Sequence, residues 1–453
     1  MHRSWLFLLT AAAVACSGGS GGSSTDGGGS VGGGDGGTGS GQLPPGATST
    51  VPVSVPSSMR SAPFDVSRSL TVPAGFAIAV YARVPGARFI AVTPEGNLLV
   101  SNPGAGKVSL VRPGTGGADP VVSDWVTGLR MPHDLVFHTL GGAPWLYVSE
   151  SNGVRRYAWT GATTAPASEV VVTGLPDSST PELHGVYGHE LKNIALDGQD
   201  RLFVSIASSC NVCIGDAVAD PVRGAIYVYD ATGRNQRLYA RGLRNAEGLA
   251  FFPGTDDLWV AVNNRDNIPY PFQDATGQYG QIVPSYVDNH PPDEFIHLRD
   301  GGNYGWPYCN PDPDTASGLF GMPFDRDYDT NRDGSQADCG TMDRVTLGIQ
   351  AHSAPLGLTF LQGTSFPAPW SSGAAIPLHG SWNRETPTGD KVIVVPFVSG
   401  NQQPSAAVDL VTGWTSPDGT YWGRPVDVAV DPSGALLISD DASGTIYRLS
   451  RNP

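Results

Sequence analysis

The chain has 453 residues, with 42 Asp and Glu against 27 Lys and Arg, for a formal net charge of −15. Lysine occurs only at Lys107, Lys192 and Lys391, and no basic patch is visible. That composition argues against nucleic acid and leaves a small molecule or sugar as the expected partner.

Residues 1–15 carry Arg3, an apolar run from Leu6 to Ala15, and a small residue before Cys16. This reads as a bacterial export signal with a lipobox-like ending, Ala13-Val14-Ala15-Cys16. An ordinary secretory signal with a chance cysteine is the alternative. The apolar run is about half of the roughly 20 residues that a transmembrane helix needs. Residues 16–60 begin with a tract of Gly, Ser, Thr and Asp that cannot bury a core, so they are expected to act as a flexible tether after a lipidated Cys16. The protein is accordingly expected at the periplasmic face of a membrane or at the cell surface, touching the membrane through its N-terminal lipid anchor only.

Residues 61–453 repeat one pattern six times. A short strand recurs at Ile90-Ala91-Val92, Leu135-Val136-Phe137, Ile194-Ala195-Leu196, Leu249-Ala250-Phe251, Leu358-Thr359-Phe360 and Val428-Ala429-Val430. Each is followed by a turn and a second strand, as in Leu98-Leu99-Val100 or Leu436-Leu437-Ile438, and several copies continue into a third or fourth. Such a series, with one copy carrying a long insertion, predicts an all-β fold: a six-bladed β-propeller with four-stranded antiparallel blades, the six recurring strands innermost.

Apart from Cys16 the cysteines are Cys210, Cys213, Cys309 and Cys339. In an exported chain an even count reads first as disulfides, here Cys210–Cys213 and Cys309–Cys339. A redox pair or half of a zinc site is the alternative for the CxxC.

In a propeller, residues just before the first strand and just after the second meet around the axis on one face. The first set holds Arg88, His133 with Asp134, His189 with Asn193, Arg244 with Asn245, His352, and Arg424 with Asp427. The second holds Asn102 to Lys107, Glu150 with Asn152, Ser208 to Cys213, Asn263 to Asp266, His379 to Arg384, and Asp440 with Asp441. Asp134, Asp427 and Asp440 read as turn formers or blade-to-blade hydrogen-bond partners. Several arginines at one mouth call for an anionic ligand. In the insertion, Asp329, Asn331 and Asp333, followed by Gly334, match the start of a calcium loop that lacks its closing Glu; a solvated acidic loop is the alternative.

At these residues the chain resembles the soluble quinoprotein sugar dehydrogenases, the glucose/sorbosone dehydrogenase family. The resemblance lies in Gly188-His189 leading into Asn193-Ile194, Gly242-Leu243-Arg244-Asn245, Gly301-Gly302-Asn303-Tyr304-Gly305-Trp306-Pro307, and His352-Ser353-Ala354-Pro355. Similarity to the sorbosone and pyranose dehydrogenase branch is closer still at His379-Gly380-Ser381-Trp382-Asn383-Arg384, Thr412-Gly413-Trp414 and Trp422-Gly423-Arg424-Pro425. The resemblance implies pyrroloquinoline quinone (PQQ) and Ca²⁺ as cofactors, and a sugar such as an aldose as substrate. Hydride would pass to the quinone while His189 removes the hydroxyl proton. Arg244 would stabilise the developing oxyanion, assisted by Asn245. Arg88, Lys107, Arg384 and Arg424 would pair with cofactor carboxylates, and His352, His379, Trp382 and Asn383 would complete the rim. A cofactor-bridging calcium would sit on backbone carbonyls near Asn264 and Arg265, beside Asp266.

The carboxylate that orients the catalytic His in the glucose-oxidising branch would fall at Ala207-Ser208, so Glu190 or Asp134 is the expected substitute. No C-x-x-C-H haem motif is present, which requires a separate electron acceptor. Two other readings of the propeller are a calcium-dependent lactonase-type hydrolase and a non-catalytic carbohydrate-binding module.

Overall fold

Alternation of burial marks the strands. In Phe76–Arg83, Phe76, Ile78, Val80 and Ala82 are buried while the residues between them are exposed or half-buried. Second strands such as Leu98–Asn102 and Leu436–Asp440 are buried throughout, because another blade packs on each face. The computed structural model describes residues 46–364, 366–398 and 402–452; the export signal, Cys16 and most of the tether lie outside the described residues.

The strands form six blades. Blade 1 comprises Ile90–Val92, Leu98–Asn102, Lys107–Arg112 and Val121–Thr127; blade 2 comprises Leu135–Leu140, Ala143–Glu150, Gly153–Ala158 and Ser168–Thr173. Blade 3 runs from Ile194–Leu196 through Arg201–Ile206 and Ala225–Asp230 to Arg237–Arg241, and blade 4 from Asn245–Phe251 through Leu258–Asn263 and Asp293–His297 to Val345–Ile349. Blade 5 comprises Thr359–Phe360, Gly373–Leu378, Lys391–Pro396 and Val408–Val411. Blade 6 takes Pro425–Val430, Leu436–Asp440 and Thr445–Arg451 from the end of the chain, and its outermost strand is Phe76–Arg83.

The first strand of each blade packs against the first strand of the next, and Pro425–Val430 returns to Ile90–Val92, so the six expected strands are the innermost ring. An apolar seam fills each of the six blade interfaces; the seam between blades 6 and 1, for example, joins Leu437 and Ile446 to Ile90 and Leu98. The structure adds two details. Blades 3 and 4 each carry a fifth strand, Gly302–Asn303 and Phe320–Met322, both supplied by the insertion between the third and fourth strands of blade 4. Ordered structure also begins before residue 61: Thr48–Pro52 pairs antiparallel with Ser69–Pro73, and Met59 is buried against the seam of blades 5 and 6. Gly/Ser composition therefore marks only the first part of the 16–60 segment as tether-like.

Polar cross-links join the blades near the channel. Serines near the ends of second strands donate to the neighbouring blade: Ser149 Oγ to the Lys192 carbonyl (2.5 Å), Ser205 Oγ to Ala246 (2.7 Å) and Ser439 Oγ to Arg88 (2.6 Å). Asp134 accepts the Ile194 N–H of the next blade at 2.9 Å, and Asp427 accepts that of Ile90 at 2.9 Å, which is the structural role the sequence suggested for them. Ser439 also accepts the Asp427 N–H at 3.0 Å, so it serves the junction where the ring closes. Ser439→Ala would strand two buried partners and is expected to lower stability by about 1–3 kcal/mol. Urea denaturation should show the midpoint falling with an unchanged slope.

Candidate active site

Two pre-strand loops carry His189 into blade 3 and Arg244 into blade 4, and one residue joins them. His189 Nδ1 lies 2.9 Å from both the carbonyl and the hydroxyl oxygen of Ser208, while the Ser208 N–H donates to the Arg244 carbonyl at 2.8 Å. A carbonyl only accepts, so Nδ1 carries the ring proton and Nε2 keeps its lone pair. The orienting group is thus the backbone and hydroxyl of Ser208 in place of the expected carboxylate. Glu190 instead accepts the Ser178 N–H at 2.9 Å, and Asp134 is held at the blade junction. Burial, aided by the positive charge of Arg244, pushes the His189 imidazole down to about 4.

Arg244 is 6% exposed and all three of its guanidinium nitrogens are engaged. Nε donates to the Asn211 carbonyl at 3.2 Å, Nη1 to that of Asn264 at 2.7 Å, and Nη2 to Asp266 at 3.0 Å. Asn211 lies inside the Cys210–Cys213 disulfide loop, and its side chain makes reciprocal bonds with Asp266, donating to its carbonyl at 2.9 Å and accepting its N–H at 2.8 Å. The CxxC is therefore a structural clasp that positions Asn211. Asp266 also lies 3.6 Å from His352 Nδ1, and that carboxylate together with the charge of Asp293 raises the His352 imidazole despite burial. Cys309–Cys339, the second expected disulfide, closes the insertion.

Across the mouth, Arg88 donates to Asp441 at 2.8 Å, and His379 Nε2 lies 2.9 Å from the other oxygen of that carboxylate. Arg424 donates to the carbonyls of His379 (2.7 Å) and Gly380 (3.4 Å). Arg384 donates to the carbonyls of Asp288, Ala351 and Thr386 and has no carboxylate partner among the described residues. Trp382 stands 73% exposed on this rim, and both polar atoms of the neighbouring Asn383 amide are buried without partners. Lys107 does not join the group: it is paired at 2.7 Å with Asp124 on the outermost strand of blade 1.

Glu247 was not legible as a site residue. It sits at a bulge in the innermost strand of blade 4, between Ala246 and Gly248. Its carboxylate reaches His133 Nε2 (3.4 Å), Asn245 Nδ2 (3.1 Å) and Arg88 (3.8 Å), so it bridges blades 4, 2 and 1. Burial opposes ionisation, yet these donors hold its carboxyl below the usual range. A glutamate followed by glycine inside an apolar alternation is the signal that could have found it, since the bulge needs Gly248: a Cβ there would stand 2.6 Å from the Leu356 carbonyl.

The expected calcium residues divide. Asn264 and Asp266 lie at the mouth with their oxygens facing Arg244. The side chain of Arg265 turns away into the insertion, where it pairs with Asp327 and, at 3.2 Å, with Asp329. Asn331 uses its amide oxygen to accept the Gln336 and Ala337 N–H groups, and Asp333 accepts that of Ser335 at 3.0 Å. In this loop Arg265 thus pairs with Asp329, while Asn331 and Asp333 cap the loop's own backbone.

Fold and mouth together define a six-bladed propeller whose axial site is ringed by arginine and histidine. The chain belongs to the TrAA12-like family, whose model matches residues 70–452. A pyrroloquinoline quinone-dependent pyranose dehydrogenase of Coprinopsis cinerea is 24% identical over 429 residues, covering 84% of this chain. The chain spans 54–60% of the length of the curated relatives it matches. The holo form of the pyranose dehydrogenase PQQ domain from Coprinopsis cinerea superposes with a TM-score of 0.67 at 21% identity, over 84% of this chain and 97% of that one. The calcium structure of the Trichoderma reesei family AA12 enzyme gives 0.67 at 23% identity, over 84% and 96%. These likenesses establish the shared fold.

The depressed basicity of His189 is directly measurable. Its imidazole should titrate near 4 by NMR in the cofactor-free protein, against about 6.5 for an unperturbed histidine. A midpoint at or above 6.5 would contradict the buried, Arg244-facing environment.

Proposed function

We propose that the protein is a PQQ-dependent dehydrogenase that oxidises a pyranose or related aldose, with His189 as general base. The observation that carries this reading is the pairing, through Ser208, of a neutral histidine whose Nε2 is available with a buried arginine at one channel mouth. The family membership and the names of the relatives support it.

The residues present fit the quinone. Arg384 is bonded only to carbonyls, and the nearest carboxylate to Arg424 is Asp390 at 3.9 Å, so both offer charge to an anionic ligand. Exposed Trp382 supplies a face for stacking on a planar ring, and the unpartnered Asn383 amide supplies hydrogen-bonding capacity. Calcium belongs to the proposal at one place, the oxygens of Asn264 and Asp266, whose hard donor chemistry suits it.

When bound, the quinone supplies a two-electron acceptor for hydride leaving the hydroxyl-bearing carbon of the sugar. His189 Nε2 takes the hydroxyl proton, and the Nδ1–H bond to the Ser208 carbonyl holds the ring as its charge changes. Arg244, fixed by Asn211, Asn264 and Asp266, presents a preorganised cation to developing negative charge. Glu247 and Asp441 hold Arg88 in place below the rim. Substrate choice falls to the Ile268–Pro292 loop, where Tyr270, Phe272 and Tyr286 pack edge to face. A lactonase-type centre is disfavoured because the channel carboxylates are bound by His, Arg, Asn and backbone donors. Export with lipid anchoring at Cys16, and electron transfer to a separate acceptor, complete the proposal.

Purified protein reconstituted with PQQ and Ca²⁺ should reduce an artificial dye in the presence of a pyranose. His189→Ala should lower turnover by roughly two to four orders of magnitude while quinone binding, followed by absorbance, is retained. Because the active form of His189 is deprotonated, activity should fall as pH drops through the His189 pKa and stay level above it. Near-normal turnover by His189→Ala would remove the assignment of the base, whereas failure to bind quinone would remove the proposed cofactor.

A further inference from the structure

We propose that His290, Asp312 and Asp314 form a binding site for a divalent transition-metal ion of the zinc class, separate from the axial mouth. His290 follows the short helix Pro284–Val287 and is 6% exposed. Its ring stacks on Tyr286 with centroids 3.9 Å apart, and Nδ1 lies 3.0 Å from the Tyr286 carbonyl. That carbonyl can only accept, so the ring proton is on Nδ1 and the lone pair is on Nε2. Donation of one ring N–H to a carbonyl while the other nitrogen stays free is the arrangement by which proteins orient metal-binding histidines.

Nε2 is buried and has no hydrogen-bond partner among the described residues. It points at carboxylates: Asp314 Oδ2 is 3.3 Å away, and one ligand atom from each of His290, Asp312 and Asp314 lies within 4.8 Å of the others. Two ligands each about 2.05 Å from a tetrahedral zinc stand about 3.4 Å apart, so the His290–Asp314 spacing already suits a metal. Among the described residues neither Asp312 nor Asp314 forms an ion pair with Lys or Arg. A cation between the three would satisfy the imidazole lone pair and offset the clustered negative charge.

The donor set selects the class of ion. An imidazole nitrogen disfavours Ca²⁺ and Mg²⁺, which prefer all-oxygen shells, while one nitrogen and two carboxylates suit Zn²⁺ and its first-row neighbours. Asp312 and Asp314 directly follow the strand Cys309–Pro311, anchored by the Cys309–Cys339 disulfide, so a bound ion would tie the insertion to the 284–290 segment. That segment supports the mouth: the His290 carbonyl accepts from His352 Nε2 at 2.9 Å, and the Asp288 carbonyl accepts from Arg384.

The test uses the full chain, stripped with chelator and dialysed against Zn²⁺ alone, with neither quinone nor Ca²⁺ present. Elemental analysis should find one tightly held zinc per chain in the wild type, and thermal unfolding should shift upward with added Zn²⁺. Asp314→Asn alters a largely exposed side chain and leaves the core intact; it should weaken zinc binding by about tenfold or more and abolish the thermal shift. His290→Gln should do the same. Equal zinc uptake by wild type and Asp314→Asn, no saturable uptake by the wild type, or displacement of zinc by equimolar Ca²⁺ would each overturn the proposal.

Discussion

Everything at the mouth depends on closure of the ring. Phe76–Arg83 leaves the N-terminal side of the fold and pairs with Thr445–Arg451, so the last blade is completed by the first strand of the propeller. Without that pairing blade 6 would expose an unpaired strand edge, and the seam joining Leu437 to Leu98 would have no fixed partner. Arg88 and Asp441 lie at the two sides of that seam, one on the loop entering blade 1 and one after the second strand of blade 6. Their ion pair exists only in the closed ring, and so does the bridge from Arg88 to Glu247 across the channel. Stability and site geometry are in this sense one property of the molecule.

The channel wall combines two kinds of bond that do different work. Ser149, Ser205 and Ser439 use neutral hydroxyls to stitch adjacent blades, satisfying buried backbone groups at no electrostatic cost. The charged residues are held by backbone carbonyls and by carboxylates, which fixes their directions. A chain with a formal charge of −15 thus gathers Arg88, Arg244, Arg384 and Arg424 around one mouth. The proposed anionic ligand would meet Arg384 and Arg424 there, which lack close carboxylate partners among the described residues.

The blade count and the innermost strands were legible because they follow from period-two alternation and repetition, and both disulfides from the even cysteine count in a chain read as exported. Side-chain partnerships were not. Ser208 looked unable to orient His189 because residue type reveals side chains and hides backbone carbonyls, and here a carbonyl does the orienting. Lys107 occupies a post-strand position like those of the rim residues, but a carboxylate on the neighbouring outer strand holds it at 2.7 Å. Asp329, Asn331 and Asp333 have the spacing of a cation loop, yet spacing does not reveal that Arg265 reaches Asp329 from another loop of the same blade. In each case the deciding partner is distant in sequence, so local pattern could not supply it.

The field that keeps His189 neutral would also limit it in the proposed role of base. Burial and Arg244 lower its imidazole to about 4, which ensures an available lone pair across the neutral range but weakens its pull on a hydroxyl proton. On the proposed function, an anion beside Arg244 would offset the smaller of those two causes, while burial, the larger, would remain. With His189 as the proposed base, anion binding and its basicity would be coupled through the same arginine. The coupling needs no conformational change, because Ser208 already joins the two residues: its N–H is on the Arg244 carbonyl and its own oxygens are at His189.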